Sequence, residues 1–328
     1  MTETPPVSTW DAQSRSILNG LFGDYLQQRQ NGLAIDMAFY RAGRPLALTA
    51  AALAHAGPRP VILIHGLGCT EGFWTFPHPD TGQPCTYGSL LAADAGCTPF
   101  YLRYNTGLSV AENGQRLATL LETLLRHYPV PVTDLLLIGH SMGGLVIRSA
   151  CYAGQQQHAT WIDRVRCIFY LGTPHSGAAL AQAAGTAGRI LTAIPNPITR
   201  LIGDTLNLRS QGIKDLQHGT LHAPDVMDDA PAGTPAHHQR AVPWLASARH
   251  YLIGGALTGD PDHAISVLFG DGLVAAPAAT ASASAAPIPA DRVRLFPATD
   301  HFKLVRDLAI YQQILAWYAQ YRSETDHG

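Results

Sequence analysis

Short, uninterrupted apolar runs alternate along this chain with longer stretches in which apolar residues recur every three or four positions. The first kind predicts strands buried on both faces, the second helices that bury one stripe. Pro60–Ile64 is a run of the first kind, and Pro99–Tyr104, Leu135–Ile138, Val165–Leu171, His250–Ile253 and Val293–Phe296 are the further strand candidates. Arg15–Gln30 reads as an amphipathic helix. Ser109, with Glu112 three residues on, has the spacing of a helix-opening capping box. The helix it opens extends to about His127, with Val110, Leu117, Leu120, Leu121, Leu124 and Leu125 on one stripe. A further helix follows Ser141, and the last runs from about Lys303 to Tyr321. Strands alternating with helices in this way predict βαβ units and a mostly parallel sheet with helices on both faces, an α/β fold.

Between Ser176 and Ser247 the alternation breaks down. A stretch of roughly seventy residues without a clear parallel strand exceeds any ordinary connection. Its first part, Ala178–Leu208, has helix-like apolar patches around Pro195 and Pro197, and His218–Gln239 is rich in His, Pro, Asp and Gly. Residues 176–247 are therefore expected to form a cap inserted into a single domain that spans residues 1–328.

Composition narrows the class. Charged residues make up 14% and the net charge is −2, with no basic stripe, so nucleic acid is not the expected partner. Met1–Trp10 lacks the cationic start and apolar core of a secretory signal. Gly272–Ala290 is broken by three prolines, and Cys167–Gly188 by Thr173-Pro174-His175-Ser176-Gly177. Neither reaches the about 20 continuous apolar residues that a membrane span needs. Five cysteines at irregular spacing, none in C-x-x-C, fit a reduced chain with buried thiols, and a cytoplasmic location is expected; a single Cys85–Cys97 bridge stays open as the alternative.

The strand Leu135–Ile138 runs straight into Gly139-His140-Ser141-Met142-Gly143-Gly144 and then into a helical pattern. A strand, a tight turn and a helix in that order hold a serine hydroxyl out at the end of a sheet, with glycines on either side leaving room for a strained backbone. A serine hydroxyl is a poor nucleophile at neutral pH unless a base lies within reach, and the base needs an acceptor to fix its tautomer. Of the fifteen histidines, His301 follows the last strand and precedes the last helix, which makes it the expected base. Asp271, flanked by Gly270 and Gly272, is the expected acid, with Asp260 and Asp262 as substitutes; Asp300 is expected to cap the last helix. An oxyanion hole needs two aimed backbone N–H groups. Met142, at the helix start, and Leu67, in the His65-Gly66-Leu67-Gly68 loop after the strand Val61–Ile64, are the candidates. His65 is expected to be structural, bonding nearby backbone.

These motifs, in this order, resemble the α/β-hydrolases of the lipase and esterase kind. Leu171-Gly172-Thr173-Pro174-His175-Ser176-Gly177 further resembles the branch of bacterial triacylglycerol lipases, lecithin–cholesterol acyltransferase-like proteins and PGAP-type hydrolases. The resemblance spans residues 60–301 and implies an α/β-hydrolase fold with a cap insertion. It implies carboxylic-ester hydrolysis through a covalent acyl-enzyme, with no cofactor and no catalytic metal, on a small-molecule or lipid ester with an apolar acyl chain. Acyl transfer, or thioester or amide cleavage, would use the same triad. The chain departs from eukaryotic GPI deacylases in lacking their membrane segment, and from extracellular lipases in lacking their secretion signal; transient contact with a lipid surface stays compatible with both.

Weaker signals remain. His218, His222, His237, His238, Asp225, Asp228 and Asp229 share the cap, but without the firm ligand spacing of a zinc site they read as a solvated loop. Phe73, Trp74 and Phe76 follow the Leu67 loop and are either one wall of an acyl pocket or ordinary core. Leu180, Ile190, Leu191, Ile194, Ile198, Leu201 and Ile202 would line an acyl tunnel or pack the cap.

Overall fold

The computed structural model describes residues 9–175, 242–256 and 288–326. Eight strands form one sheet: β1 (Ala38–Arg41), β2 (Arg44–Pro45), β3 (Pro60–Ile64), β6 (Thr98–Arg103), β7 (Leu135–His140), β8 (Val165–Leu171), β9 (Arg249–Ala256) and β10 (Val293–Pro297). The short β4 (Phe76–Pro77) and β5 (Pro84–Cys85) pair separately as a small ribbon. The order across the main sheet is β2-β1-β6-β3-β7-β8-β9-β10. All neighbours from β6 to β10 are parallel, and at the other edge β1 pairs antiparallel with both β6 and β2. The mostly parallel α/β sheet is therefore as expected, while the edge hairpin is an addition. Its turn, Ala42-Gly43, has φ of 51° and 74°, the left-handed pair that a two-residue hairpin requires.

The apolar runs alternate between two cores. Ile62, Ile64, Leu135 and Leu137 face one way, while Val61, Leu63, Leu136 and Ile138 face the other. The first face is covered by α4 (Val110–Arg126) and α5 (Met142–Gln156), the second by α3 (Tyr87–Ala95) and α6 (Leu308–Asp326). The predicted stripe on α4 holds: Val110, Leu117, Leu121 and Leu124 are buried. Ser109 caps it by accepting from the Glu112 N–H, but Glu112 does not return the bond and pairs with Arg116 instead.

Two helix expectations shift. The first helix, α1 (Thr9–Gln28), begins earlier than Arg15 and breaks at Phe22, where φ is −135°. Asn105 Nδ2 donates to the Gly23 carbonyl at 2.9 Å, just after the break. At the other end, Asp300 accepts from Phe302 and Lys303 N–H at 2.8 Å and so caps a separate 3-10 turn (Lys303–Val305), not the last helix. Asp307 caps α6, accepting from the Ala309 N–H.

The five cysteines are all unpaired, four buried and Cys85 half-buried, so the Cys85–Cys97 bridge is not formed. Among the described residues no helix is long and apolar enough to cross a membrane. Most of the expected cap, its His/Asp group and its apolar residues, together with Asp260, Asp262 and Asp271, lie outside the described residues.

Close approach of α5 to the sheet fixes the site. A Cβ on Gly143 would lie 2.3 Å from the Ile64 carbonyl oxygen and 2.7 Å from that of His65. Both are backbone atoms, so Gly143→Ala must push α5 away from β3. Overpacking of this kind costs about 1–3 kcal/mol. Urea unfolding of Gly143→Ala should show a lowered midpoint of that order, and a midpoint unchanged from wild type would contradict the packing described.

Candidate active site

β7 ends at His140, and the chain turns through Ser141 directly into α5. Ser141 has φ 53° and ψ −125°, a conformation that few residues other than glycine adopt. Its N–H donates to the Leu171 carbonyl at 2.9 Å, tethering the turn to the end of β8. Ser141 stays partly exposed while its neighbours His140 and Met142 are buried.

The loop after β3 lies against this turn: a Cβ on Gly66 would come 3.0 Å from the Ser141 Cβ. Polar contacts hold the loop at almost every residue. His65 Nδ1–H donates to the Gly66 carbonyl at 2.9 Å, and its ring stacks on Tyr104 with centroids 4.6 Å apart. Tyr104 donates its hydroxyl to the His65 carbonyl. His65 is thus structural, as expected. The Gly68 N–H donates to Thr106 Oγ1, Gln13 Nε2 donates to the Gly68 carbonyl, and the Ser16 hydroxyl donates to the Cys69 carbonyl. The Leu67 N–H donates to none of the described residues. Met142 is the first residue of α5, a position whose N–H has no acceptor within a helix.

His301 sits on the turn after β10. Its ring reaches the end of β8, where a Cβ on Gly172 would lie 2.9 Å from Nδ1. Its ring centroid is 4.5 Å from that of His140. His140 Nε2–H donates to the His301 carbonyl at 2.9 Å, so the residue before Ser141 grips the backbone of the His301 turn. Burial lowers the His301 pKa to about 4, partly offset by Asp300, so the imidazole is neutral at neutral pH. Neither the Ser141 hydroxyl nor the His301 ring hydrogen-bonds another described residue. Asp271 lies outside the described residues.

The three aromatics after the Leu67 loop divide. Trp74 and Phe76 are buried in the core beside Tyr87. Phe73 is half-buried and faces His140, with centroids 5.1 Å apart, and Phe302, with centroids 6.0 Å apart.

A second buried group lies two turns along α5 from Ser141. Arg148 is 7% exposed and pairs with no carboxylate among the described residues. Its Nη1 donates to His175 Nδ1 at 3.3 Å, its Nη2 to the Val242 carbonyl, and its guanidinium lies 4.3 Å from the centre of the Trp244 ring. One cation therefore holds together the two points where the chain leaves the sheet after β8 and returns before β9. Trp244 also packs against His250, whose Nε2–H donates to the Leu245 carbonyl while Nδ1 accepts from the Tyr170 hydroxyl. Among the described residues no three His, Cys, Asp or Glu side chains are grouped to hold a metal ion.

Sequence patterns missed Gln13, Ser16, Thr106, His140 and Arg148. Only two signals pointed to any of them: His140 stands inside the serine motif, and Thr106 follows the end of β6, where an α/β sheet gathers its functional loops.

The site is thus built among three buried imidazoles, His65, His140 and His250, and two half-buried ones, His175 and His301, all held neutral by desolvation. His65, His250 and His301 titrate at about 4, and His140 and His175 well below 6.5. The unfolded chain binds these protons below about pH 6.5, and the folded protein does not until pH falls further. Stability is therefore complete above that pH and lost as pH drops toward 4, at about 1.4 kcal/mol per pH unit for each group. His250→Gln keeps a donor for the Leu245 carbonyl but cannot titrate. Thermal melts from pH 7 to 4 should fall less steeply for His250→Gln than for wild type; parallel curves would contradict a neutral, buried His250.

Residues 102–195 match the family described as PGAP1-like alpha/beta domain. No curated protein matches the chain in sequence. Among solved structures, the mature lipase BlEst2 of Bacillus licheniformis is similar at 18% identity and a TM-score of 0.44, covering 81% of this chain and 94% of its own. Esterase B of Lactobacillus Rhamnosis (HN001) is similar at 14% identity and a TM-score of 0.44, covering 96% and 97%. The stretch similar to the PGAP1-like alpha/beta domain includes β7, the serine turn and α5, within a mostly parallel α/β sheet.

Proposed function

We propose that the protein is a serine carboxylic-ester hydrolase that works through an acyl-enzyme. The observation that carries this reading is the left-handed Ser141 backbone at the head of α5, pressed against the His65–Gly68 loop and next to the turn that bears His301. In the proposed reaction Ser141 Oγ attacks the ester carbonyl carbon while His301 takes the hydroxyl proton. The carbonyl oxygen becomes an oxyanion held by the N–H groups of Leu67 and Met142. Collapse breaks the bond to the alcohol, which leaves with the proton from His301. Water then gives a proton to His301 and attacks the acyl-enzyme; collapse breaks the bond to Ser141 Oγ, which takes that proton back from His301 as the acid leaves. Asp271 is the proposed acceptor for the other imidazole N–H. It would hold the ring and stabilise the imidazolium, as the acid of such a triad does. No step calls for a cofactor.

The substrate is an ester with an apolar acyl chain, supported by Phe73 and the exposed Phe302 beside His140 and His301. Residues 176–247 are read as a cap within a single domain, a reading supported by Arg148 holding Val242 and His175 together at its base.

Hydrolysis of p-nitrophenyl esters of increasing acyl length tests the reading. Wild type should turn over these esters and label with a fluorophosphonate, and Ser141→Ala should lose both. Equal hydrolysis by Ser141→Ala would remove the nucleophile assignment. Asp271→Asn should lower kcat about 10⁴-fold, as the same change does in other triads. Near-normal turnover by that variant would move the role of the acid away from Asp271.

A further inference from the structure

His140, between Gly139 and the proposed nucleophile, has no part in the mechanism above, yet its side chain is among the most tightly held in the site. It is 2% exposed. Phe73 packs on it with centroids 5.1 Å apart, and His301 with centroids 4.5 Å apart. Gly66 closes a third side, where a Cβ would come 3.2 Å from His140 Nδ1. Arg306 lies over the Phe73 ring, 4.9 Å from its centre.

Among the described residues the ring makes one hydrogen bond, Nε2–H to the His301 carbonyl at 2.9 Å. A carbonyl only accepts, so the proton is on Nε2, and the buried Nδ1 has no partner among the described residues. Packing alone does not call for a histidine here. A leucine would fill similar space without leaving a buried nitrogen unsatisfied, which is itself unfavourable. What leucine lacks is the donor that reaches His301.

We infer that His140 is a positioning residue for the reaction: its Nε2–H bond to the His301 carbonyl fixes the turn that carries the imidazole relative to the serine hydroxyl. The bond ties residue 301 to residue 140 while residue 141 bears the nucleophile, so base and nucleophile share one rigid strand end. The sequence separation of 161 residues is reduced to one side-chain contact. The inference rests on the reading of Ser141 as nucleophile and His301 as base.

The test compares His140→Leu, His140→Asn and His140→Gln with wild type on a p-nitrophenyl ester, measuring kcat, KM and melting temperature. The glutamine amide nitrogen reaches about as far from the backbone as imidazole Nε2, whereas that of asparagine stops near Nδ1. Misplacing a reacting group by about an ångström lowers rates up to about 10²-fold. His140→Leu and His140→Asn should therefore lose about 10- to 100-fold in kcat with little change in KM, and His140→Gln should restore most of it. Wild-type kcat in folded His140→Leu or His140→Asn would overturn the inference. So would a loss in His140→Gln equal to that in the other two, since the bond would then not be what matters. Should His140→Leu fail to fold, the Asn and Gln pair decides alone. Absence in wild type of any hydrolysis that Ser141→Ala removes would defeat the hydrolase reading itself, a result distinct from unaffected His140 variants in an active enzyme.

Discussion

The backbone of Ser141 is the constraint from which the site follows. A non-glycine residue at φ 53° and ψ −125° carries strain of order 1–3 kcal/mol, and it persists only where the surroundings over-determine it. Here they do so from three directions. The Ser141 N–H is tied to the end of β8, Gly143 lets α5 close onto the carbonyls at the end of β3, and α5 itself is buried along most of its first three turns. The serine is thereby placed at the central strand of the sheet, with β3 and β8 on either side supplying the loops that surround it.

Around that turn the protein invests in fixed polar contacts. The His65–Gly68 loop is held by side chains from α1 and from the ends of β3 and β6, and its carbonyls at 65, 66 and 68 are all engaged. Loops held in this way keep their N–H groups aimed without reorganisation, the condition under which an oxyanion is best stabilised. Buried histidines serve here as neutral hydrogen-bonding groups. Desolvation keeps them uncharged, so they order backbone next to the site without adding a charge that would oppose a developing imidazolium.

How much of this can be read from sequence depends on how far apart the interacting residues lie. β3 and β8 have the predicted limits because each is a mainly apolar run, β8 interrupted by Arg166 alone, bounded by glycine or charged residues. The serine turn and the structural role of His65 are also legible, since each rests on contacts within a few residues. The kink in α1 is not legible, and neither is the bond to the Gly23 carbonyl beside it from Asn105, 82 positions away. Asp300 was expected on the last helix and instead caps the turn before it, because one further short element separates them. Gln13, Ser16, Thr106 and Arg148 carry no local pattern at all. Their partners come from other strands and loops, and only the folded chain brings them to the end of the sheet.

The account stands or falls on whether distant residues converge at Ser141. The most direct measurement is a crystal structure of the protein inactivated with an alkyl phosphonate. Phosphorus should be bonded to Ser141 Oγ, with the phosphoryl oxygen within hydrogen-bond reach of the Leu67 and Met142 N–H groups. The His301 imidazole should lie between the adduct and the Asp271 carboxylate. Phosphorus on another residue, or a phosphoryl oxygen turned away from both N–H groups with His301 remote, would contradict it.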